Sequence, residues 1–282
     1  MTVQESELRA LVESLDSHPT PLPYGTIEAF AEQFLSALER GSIRAASPED
    51  GHWVVHGWVK RGILLLFRHG VLSPIAHSGE TFFDKHTLPP RRLSLDDRVR
   101  LVPGGSAIRR GAYVAPGVIC MPPMYINVGA YVGEGTMVDS HALIGTCAQI
   151  GARVHISAAA QIGGVLEPAQ AQPVIIEDDA FIGGNVGIYE GVLVRRRAVI
   201  AAGVMLTASV PVYDAVHERI LRASDSQPLE IPEGAVVVPG TRRLSNSSFS
   251  IEHGLQASCA LIVKYRDERT DAKTALEATL RL

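Results

Sequence analysis

The stretch YINVGAYVGEGTMVDSHALIGTCAQIGARVHISAAAQIG, residues 125–163, places an aliphatic residue at every sixth position: Ile126, Val132, Val138, Ile144, Ile150, Ile156 and Ile162. Upstream the same phase holds at Ile108 and Val114, with Cys120 standing in once, and a second phase runs through Ile176, Ile182, Ile188, Val194, Ile200 and Leu206. Four residues after most of these comes a second small or aliphatic side chain, such as Ala130, Thr136, Ala142, Ala148, Val154 and Ala160. This is a hexapeptide repeat. Each hexad supplies one short strand and one turn, and three hexads make a triangular coil that buries its apolar face only by stacking on its neighbours. An alternating sandwich or barrel strand has a period of two and does not place one inward aliphatic residue in every six. The segment GGVLEPAQAQPV between Ile162 and Ile176 breaks the phase, and reads as a projecting loop or an irregular hexad.

The flanks read differently. Leu8, Leu11, Val12 and Leu15 share one helical face, as do Ile27, Phe30, Phe34 and Leu38. GHWVVHGWVKRGILLLFRHG, residues 51–70, has the spacing of a third amphipathic helix, with enough β-branched residues to leave a strand open. Residues 1–100 are therefore expected to form a small, mainly helical domain, 101–211 a parallel β-helix, and 212–282 a cap with strands and a terminal helix from Thr270 to Leu282. The 282 residues carry a net charge of −4, which gives no reason to expect a nucleic-acid partner. The longest apolar run, GILLLF, is far short of a membrane span, and the first residues lack the basic region of a secretory signal, so the expected location is the cytoplasm. Cys120, Cys147 and Cys259 have no metal spacing, and the first two read as small core residues. A prism filled with aliphatic side chains has no internal pocket, so ligands must bind on outer faces that become clefts when another copy lies against them.

Residues 125–168, followed by VIIEDDAFIGGNVGIYEG and GVMLTASVPVYD, closely resemble the tetrahydrodipicolinate N-succinyltransferase family. The resemblance extends to HWVVHGWVKRGILLLF and FFDK upstream and to ALIVKYRDERTDAKT downstream, and EGTMVDS and QIGGVLEP are its specific motifs. It implies a left-handed coil, a homotrimer with active sites between subunits, and a coenzyme A thioester, succinyl-CoA or acetyl-CoA, as co-substrate with no covalently bound cofactor. The implied reaction acylates the amine of a dicarboxylic amino acid formed by opening hydrated tetrahydrodipicolinate. Attack on the thioester needs a group that takes a proton from the amine and one that returns a proton to the thiolate.

Asp139 matches the family's catalytic aspartate and stands where most hexads carry Gly or another small residue; alternatively it is a turn carboxylate bonding its own backbone. Where one branch of the family carries an arginine and a glutamate before VVEG, this chain has Asn185 and Gly187, both taken as substrate contacts. Glu190 keeps the last acid of that pattern and either supplies catalysis or anchors the turn. Arg100 matches a family arginine that binds a substrate carboxylate, a task suited to a guanidinium's paired donors. Gly184, Ala202 and Gly203 offer small side chains and free backbone groups along which a pantetheine arm fits. Its phosphates need cations, for which Arg222 is the leading candidate beside Arg195, Arg196, Arg197, Arg242, Arg243 and Lys264. His141 and His155 also lie on the repeat, where structural or substrate-contact roles rank ahead of proton transfer. Two further readings stay open: a paralogue using acetyl-CoA or a related amino acid in specialised metabolism, similar to a tabtoxin-pathway acyltransferase, and a noncatalytic hexapeptide scaffold, which would need metal-spaced histidines not found here.

Overall fold

The computed structural model describes residues 3–18, 22–23, 25–77, 79–224 and 227–267; the helix expected from Thr270 to Leu282 lies outside them. The repeat forms a three-sided stack of two-residue strands. Tyr131 pairs in parallel with Tyr113 on one side and Gln149 on the other, a spacing of 18 residues, or three hexads per coil. A first face carries Arg100–Leu101, Ile119–Cys120, Met137–Val138, His155–Ile156, Phe181–Ile182 and Val199–Ile200. A second face carries Ala107–Ile108, Tyr125–Ile126, Leu143–Ile144, Gln161–Ile162, Gly187–Ile188 and Met205–Leu206. Tyr113–Val114, Tyr131–Val132, Gln149–Ile150, Ile175–Ile176, Leu193–Val194 and Glu230–Ile231 make the third.

The second residue of nearly every rung points inward, so Ile126, Ile144, Ile150, Ile156, Ile162, Ile182 and Ile188 are fully buried in one continuous core. Each such side chain, removed from water, contributes on the order of 2 kcal/mol, which is why the aliphatic period is strict while the rest of each hexad varies. From Gln149 to Ile175 the interval widens to 26 residues, so the phase break is an eight-residue insertion rather than a reshaped hexad.

Three helices precede the coil: α1 Val3–Ser17, α2 Thr26–Glu39 and α3 Gly57–His69. Within residues 51–70 both readings apply to different halves, because His52–Val55 is a strand in a hairpin with Ala46–Glu49 and the helix begins at Gly57. The apolar faces of α1 to α3 form a second core that takes in Val128 and Cys147, which places this layer on the corner between the second and third faces. Arg110 ties α2 to that corner, donating to Glu32 (2.7 Å) and Glu39 (3.1 Å). The insertion is clamped under α3, where the buried Lys60 donates Nζ–H to the Ala171 carbonyl and Leu166 packs against the helical core. Burial lowers the Lys60 pKa.

The far end is closed by Ala235–Arg243, which joins the first face beside Val199–Ile200 and pairs with Gln256–Tyr265. Leu229, Ile231, Val237, Ala260 and Ile262 from this cap are buried in the coil core. No helix among the described residues is long and apolar enough to cross a membrane. Burial pushes the Cys120 and Cys147 thiols up to about 12, so both behave as small core residues rather than nucleophiles.

Candidate active site

Turns between the first and second faces stack into one corner of the prism: residues 102–106, 121–124, 139–142, 157–160, 183–186 and 201–204. Backbone bonds hold them in register, from Ala159 N–H to the Ser140 carbonyl (2.8 Å), Asn185 N–H to Ala158 (3.0 Å) and Gly203 N–H to Gly184 (3.0 Å). Six of the residues singled out from sequence meet here: Asp139, His141, Gly184, Asn185, Ala202 and Gly203. Below Ser140 and His141 the corner is built from Ser157, Ala158, Ala159, Gly183, Gly184, Ala201, Ala202 and Gly203, so little side-chain bulk stands over the exposed backbone. Asn185 is exposed and sits at the third position of its turn, above Gly203 and two coils from His141.

Asp139 is half-buried, and its Oδ1 accepts the Ser140 N–H at 2.7 Å. Asn127 makes the same bond to Val128 N–H (2.8 Å) at the equivalent place on another corner, so this contact is a feature of the turn. The other Asp139 oxygen has no hydrogen-bond partner among the described residues, which leaves one carboxylate oxygen for chemistry. Arg100 opens the first face and is exposed; two rungs, about 10 Å at the usual strand spacing, separate its strand from Met137–Val138.

Gly187 lies on the second face next to this corner, and it is buried. A Cβ there would meet Met205 Cε at 2.5 Å and Tyr189 Cε2 at 2.6 Å, so the space a longer side chain needs is filled from two sides. Glu190 is one hexad further on, at the corner between the second and third faces, and its Oε2 accepts the Ala208 N–H at 2.8 Å. It lines a cavity of about 540 Å³ together with Val165, Pro168 and Gln172 of the insertion and Ser224 of the cap. The insertion therefore borders Glu190 and not Asp139.

Arg222 stands apart from the small-residue corner. It is exposed and borders a different cavity, of about 550 Å³, with Trp53, Leu193, Arg195 and Glu230 on the third face. Arg195 is committed to Glu230 (2.7 Å) and Glu177 (2.9 Å) there. Arg242, by contrast, belongs to the strand that continues the first face, where Ala201 N–H bonds Val237, and that strand runs on past the small-residue corner. Its Nε is buried without an acceptor among the described residues. His155, on the first face, is stacked on Phe181 with ring centroids 4.8 Å apart.

Sequence reasoning missed a cavity of about 770 Å³ between the hairpin at 46–55 and the third face. Arg44 lies over the Tyr131 ring at 3.6 Å, Tyr131 stacks on Tyr113 at 4.4 Å, and Trp53 donates to Glu177 at 2.9 Å. The period-18 recurrence of tyrosine at 113 and 131 was the available signal, because residues three hexads apart are vertical neighbours. Among the described residues no group of three or more His, Cys, Asp or Glu side chains is placed to hold a metal ion.

Residues 8–69 match the tetrahydrodipicolinate N-succinyltransferase N-terminal family, and residues 173–208 match the hexapeptide repeat of succinyl-transferase. The chain is 41% identical to a 2,3,4,5-tetrahydropyridine-2,6-dicarboxylate N-succinyltransferase of Rhodopseudomonas palustris, over 100% of this chain and 99% of that one. It is 43% identical to proteins of the same name from Nitrobacter winogradskyi, covering 93% of this chain and 92% of the relative, and Idiomarina loihiensis, covering 88% and 86%. Identity at that level runs through the helical layer, the coil and the cap, and the chain belongs to the tetrahydrodipicolinate N-succinyltransferase family.

Proposed function

We propose that this protein transfers the succinyl group of succinyl-CoA to the amine of ring-opened tetrahydrodipicolinate, 2-amino-6-oxopimelate, in the diaminopimelate route to lysine. The observation that carries the reading is Asp139, a half-buried carboxylate with one oxygen unbonded among the described residues, on a corner whose next turns, 157–160, 183–186 and 201–204, carry mostly small side chains. Family membership and near-complete coverage of the relatives support the same reading.

In this reading the coil winds left-handed and three copies associate, so that the Asp139 corner of one faces another and the flat wall becomes a cleft. The pantetheine arm lies along Gly184, Ala202 and Gly203, where backbone groups can pair with its amides. Arg242, with a buried and unpaired Nε, is better placed for a phosphate than Arg222, which would act only on a donor bound along the third face. Arg100 holds a substrate carboxylate, and Asn185 and Gly187 shape the wall where the amine-bearing end rests. The amine attacks the thioester carbonyl, a C–N bond forms, Asp139 accepts the proton shed by nitrogen, and the C–S bond breaks. Glu190, tied to Ala208, steadies the turn beneath the substrate wall.

The test is free-thiol release by the purified protein supplied with tetrahydrodipicolinate and, separately, succinyl-CoA or acetyl-CoA. Turnover with succinyl-CoA at a kcat/KM at least tenfold above that with acetyl-CoA is the expected result. Silence with both donors sinks the proposal.

A further inference from the structure

The amine's proton has a carboxylate to receive it, but the departing thiolate needs a donor. We infer that His141 is that donor, a second catalytic residue beside Asp139; the inference rests on the succinyl-transfer reading above.

The small-residue corner holds few groups able to give up a proton. Its six stacked turns, 102–106, 121–124, 139–142, 157–160, 183–186 and 201–204, hold two titratable side chains, Asp139 and His141. The other acid in the neighbourhood is occupied: Glu190 faces a different corner and is bonded to Ala208 N–H. Position 187 carries no side chain, and the space it would need is filled by Met205 and Tyr189. His155 is stacked against Phe181, with its Nδ1 buried.

His141 is exposed, and its imidazole makes no hydrogen bond among the described residues. Its backbone, by contrast, is held on both sides: the N–H donates to the Pro123 carbonyl, and its own carbonyl accepts Gln161 Nε2–H at 3.2 Å. A fixed main chain under a free ring, two residues from Asp139, is the arrangement a proton donor needs. The positive φ of 62° adds nothing to this argument, because Cys147, Arg153, Ala159 and Asp179 adopt the same angle at the same turn position. The turns packed above and below, 121–124 and 157–160, and the adjoining Leu143 and Gln161 carry no charge, so Asp139 is the one other ionisable residue of the corner.

The protons balance. As the C–S bond breaks, imidazolium gives its N–H to sulfur. The neutral ring then takes up the proton that Asp139 received from the amine, so the net transfer is from nitrogen to sulfur and both groups are restored. An imidazolium is as a class a stronger acid than an alkyl thiol, which makes the step to sulfur downhill.

The test compares wild type with His141→Gln and His141→Asn, the second suited to a left-handed backbone. Two donors are used: succinyl-CoA, and a succinyl thioester of an electron-poor aryl thiol whose thiolate leaves without protonation. With succinyl-CoA both variants should lose about 100-fold or more in kcat with KM changed less than about threefold, and the basic limb of the pH profile should vanish. With the aryl thioester, variants and wild type should agree within about fivefold. Near-wild-type turnover of succinyl-CoA by both variants, or equal losses with both donors, overturns the role of His141 while leaving the succinyl-transfer reading standing. A wild-type protein inactive with either donor overturns that reading instead.

Discussion

Gly145→Ala should damage this protein far more than Gly203→Ala, although each adds one methyl group to a turn of the same repeat. At Gly145 a Cβ would lie 2.2 Å from Gly164 N, 2.6 Å from the Gly163 carbonyl carbon and 2.7 Å from Gly164 Cα. All three are backbone atoms of the next coil and no rotamer change removes them. Relieving the contact requires the coils to part by roughly 1 Å. That opening takes the bonds from Gly145 N–H to Ile162 (2.8 Å) and Val165 N–H to Thr146 (3.2 Å) out of hydrogen-bonding range. Two lost bonds at about 1 kcal/mol each and overpacking strain of about 1–3 kcal/mol give a destabilisation of about 3–5 kcal/mol. Gly203 has φ 76° and nothing within 4 Å of its would-be Cβ. Its Ala variant meets only the left-handed backbone penalty, about 1–2 kcal/mol. Urea unfolding of both variants at one protein concentration measures the difference, which should appear in the midpoint with the m-value unchanged. If Gly145→Ala is no less stable than Gly203→Ala, close stacking of coils is not what selects glycine in these turns.

Asp139→Asn should preserve the fold and lower thiol release by at least about 100-fold, checked by steady-state kinetics beside the far-ultraviolet dichroism of the same sample. Asp214 gives a pH dependence. Burial opposes its ionisation, but hydrogen bonds from His217, Tyr265 and Arg219 and from the His217 backbone outweigh this and hold its carboxyl well below the usual range. A depressed folded pKa contributes stability above the unfolded value, about 3.9, and that contribution is lost as the pH falls below it. Asp214→Asn should therefore narrow the gap in unfolding midpoint between pH 7 and pH 3; an unchanged gap assigns the acid sensitivity elsewhere. Arg44→Ala removes the guanidinium from the Tyr131 ring and its bond to Gln149 (3.0 Å), and should cost about 1–2 kcal/mol in the same urea assay without changing kcat.

The aliphatic period was enough to read the coil because each hexad is a local unit: one inward residue and one turn, whatever its neighbours. Ile126, Ile144 and Ile162 are buried as the spacing requires. The helices were legible for the same reason, since a 3.6-residue stripe is visible in a single segment. Residues 51–70 were less clear because a strand and a helix follow one another within a span too short to show two periods.

Where each turn points was not legible. Successive hexads go to three different faces, and the eight-residue insertion after Ile162 changes the count, so the sequence left Asp139, Asn185 and Glu190 without a common frame. The stacking put Asn185 on the Asp139 corner and Glu190 on the next one, bonded to Ala208. It also put Arg222 after a cap strand, bordering a cavity with Leu193, Arg195 and Glu230 rather than the corner of Gly184 and Ala202. The sequence by itself determined the period, and with it the core, since burial of one side chain in six is a short-range property. Tertiary structure alone decided which exposed groups share a corner, because that depends on vertical hydrogen bonds between residues 18 or 26 positions apart.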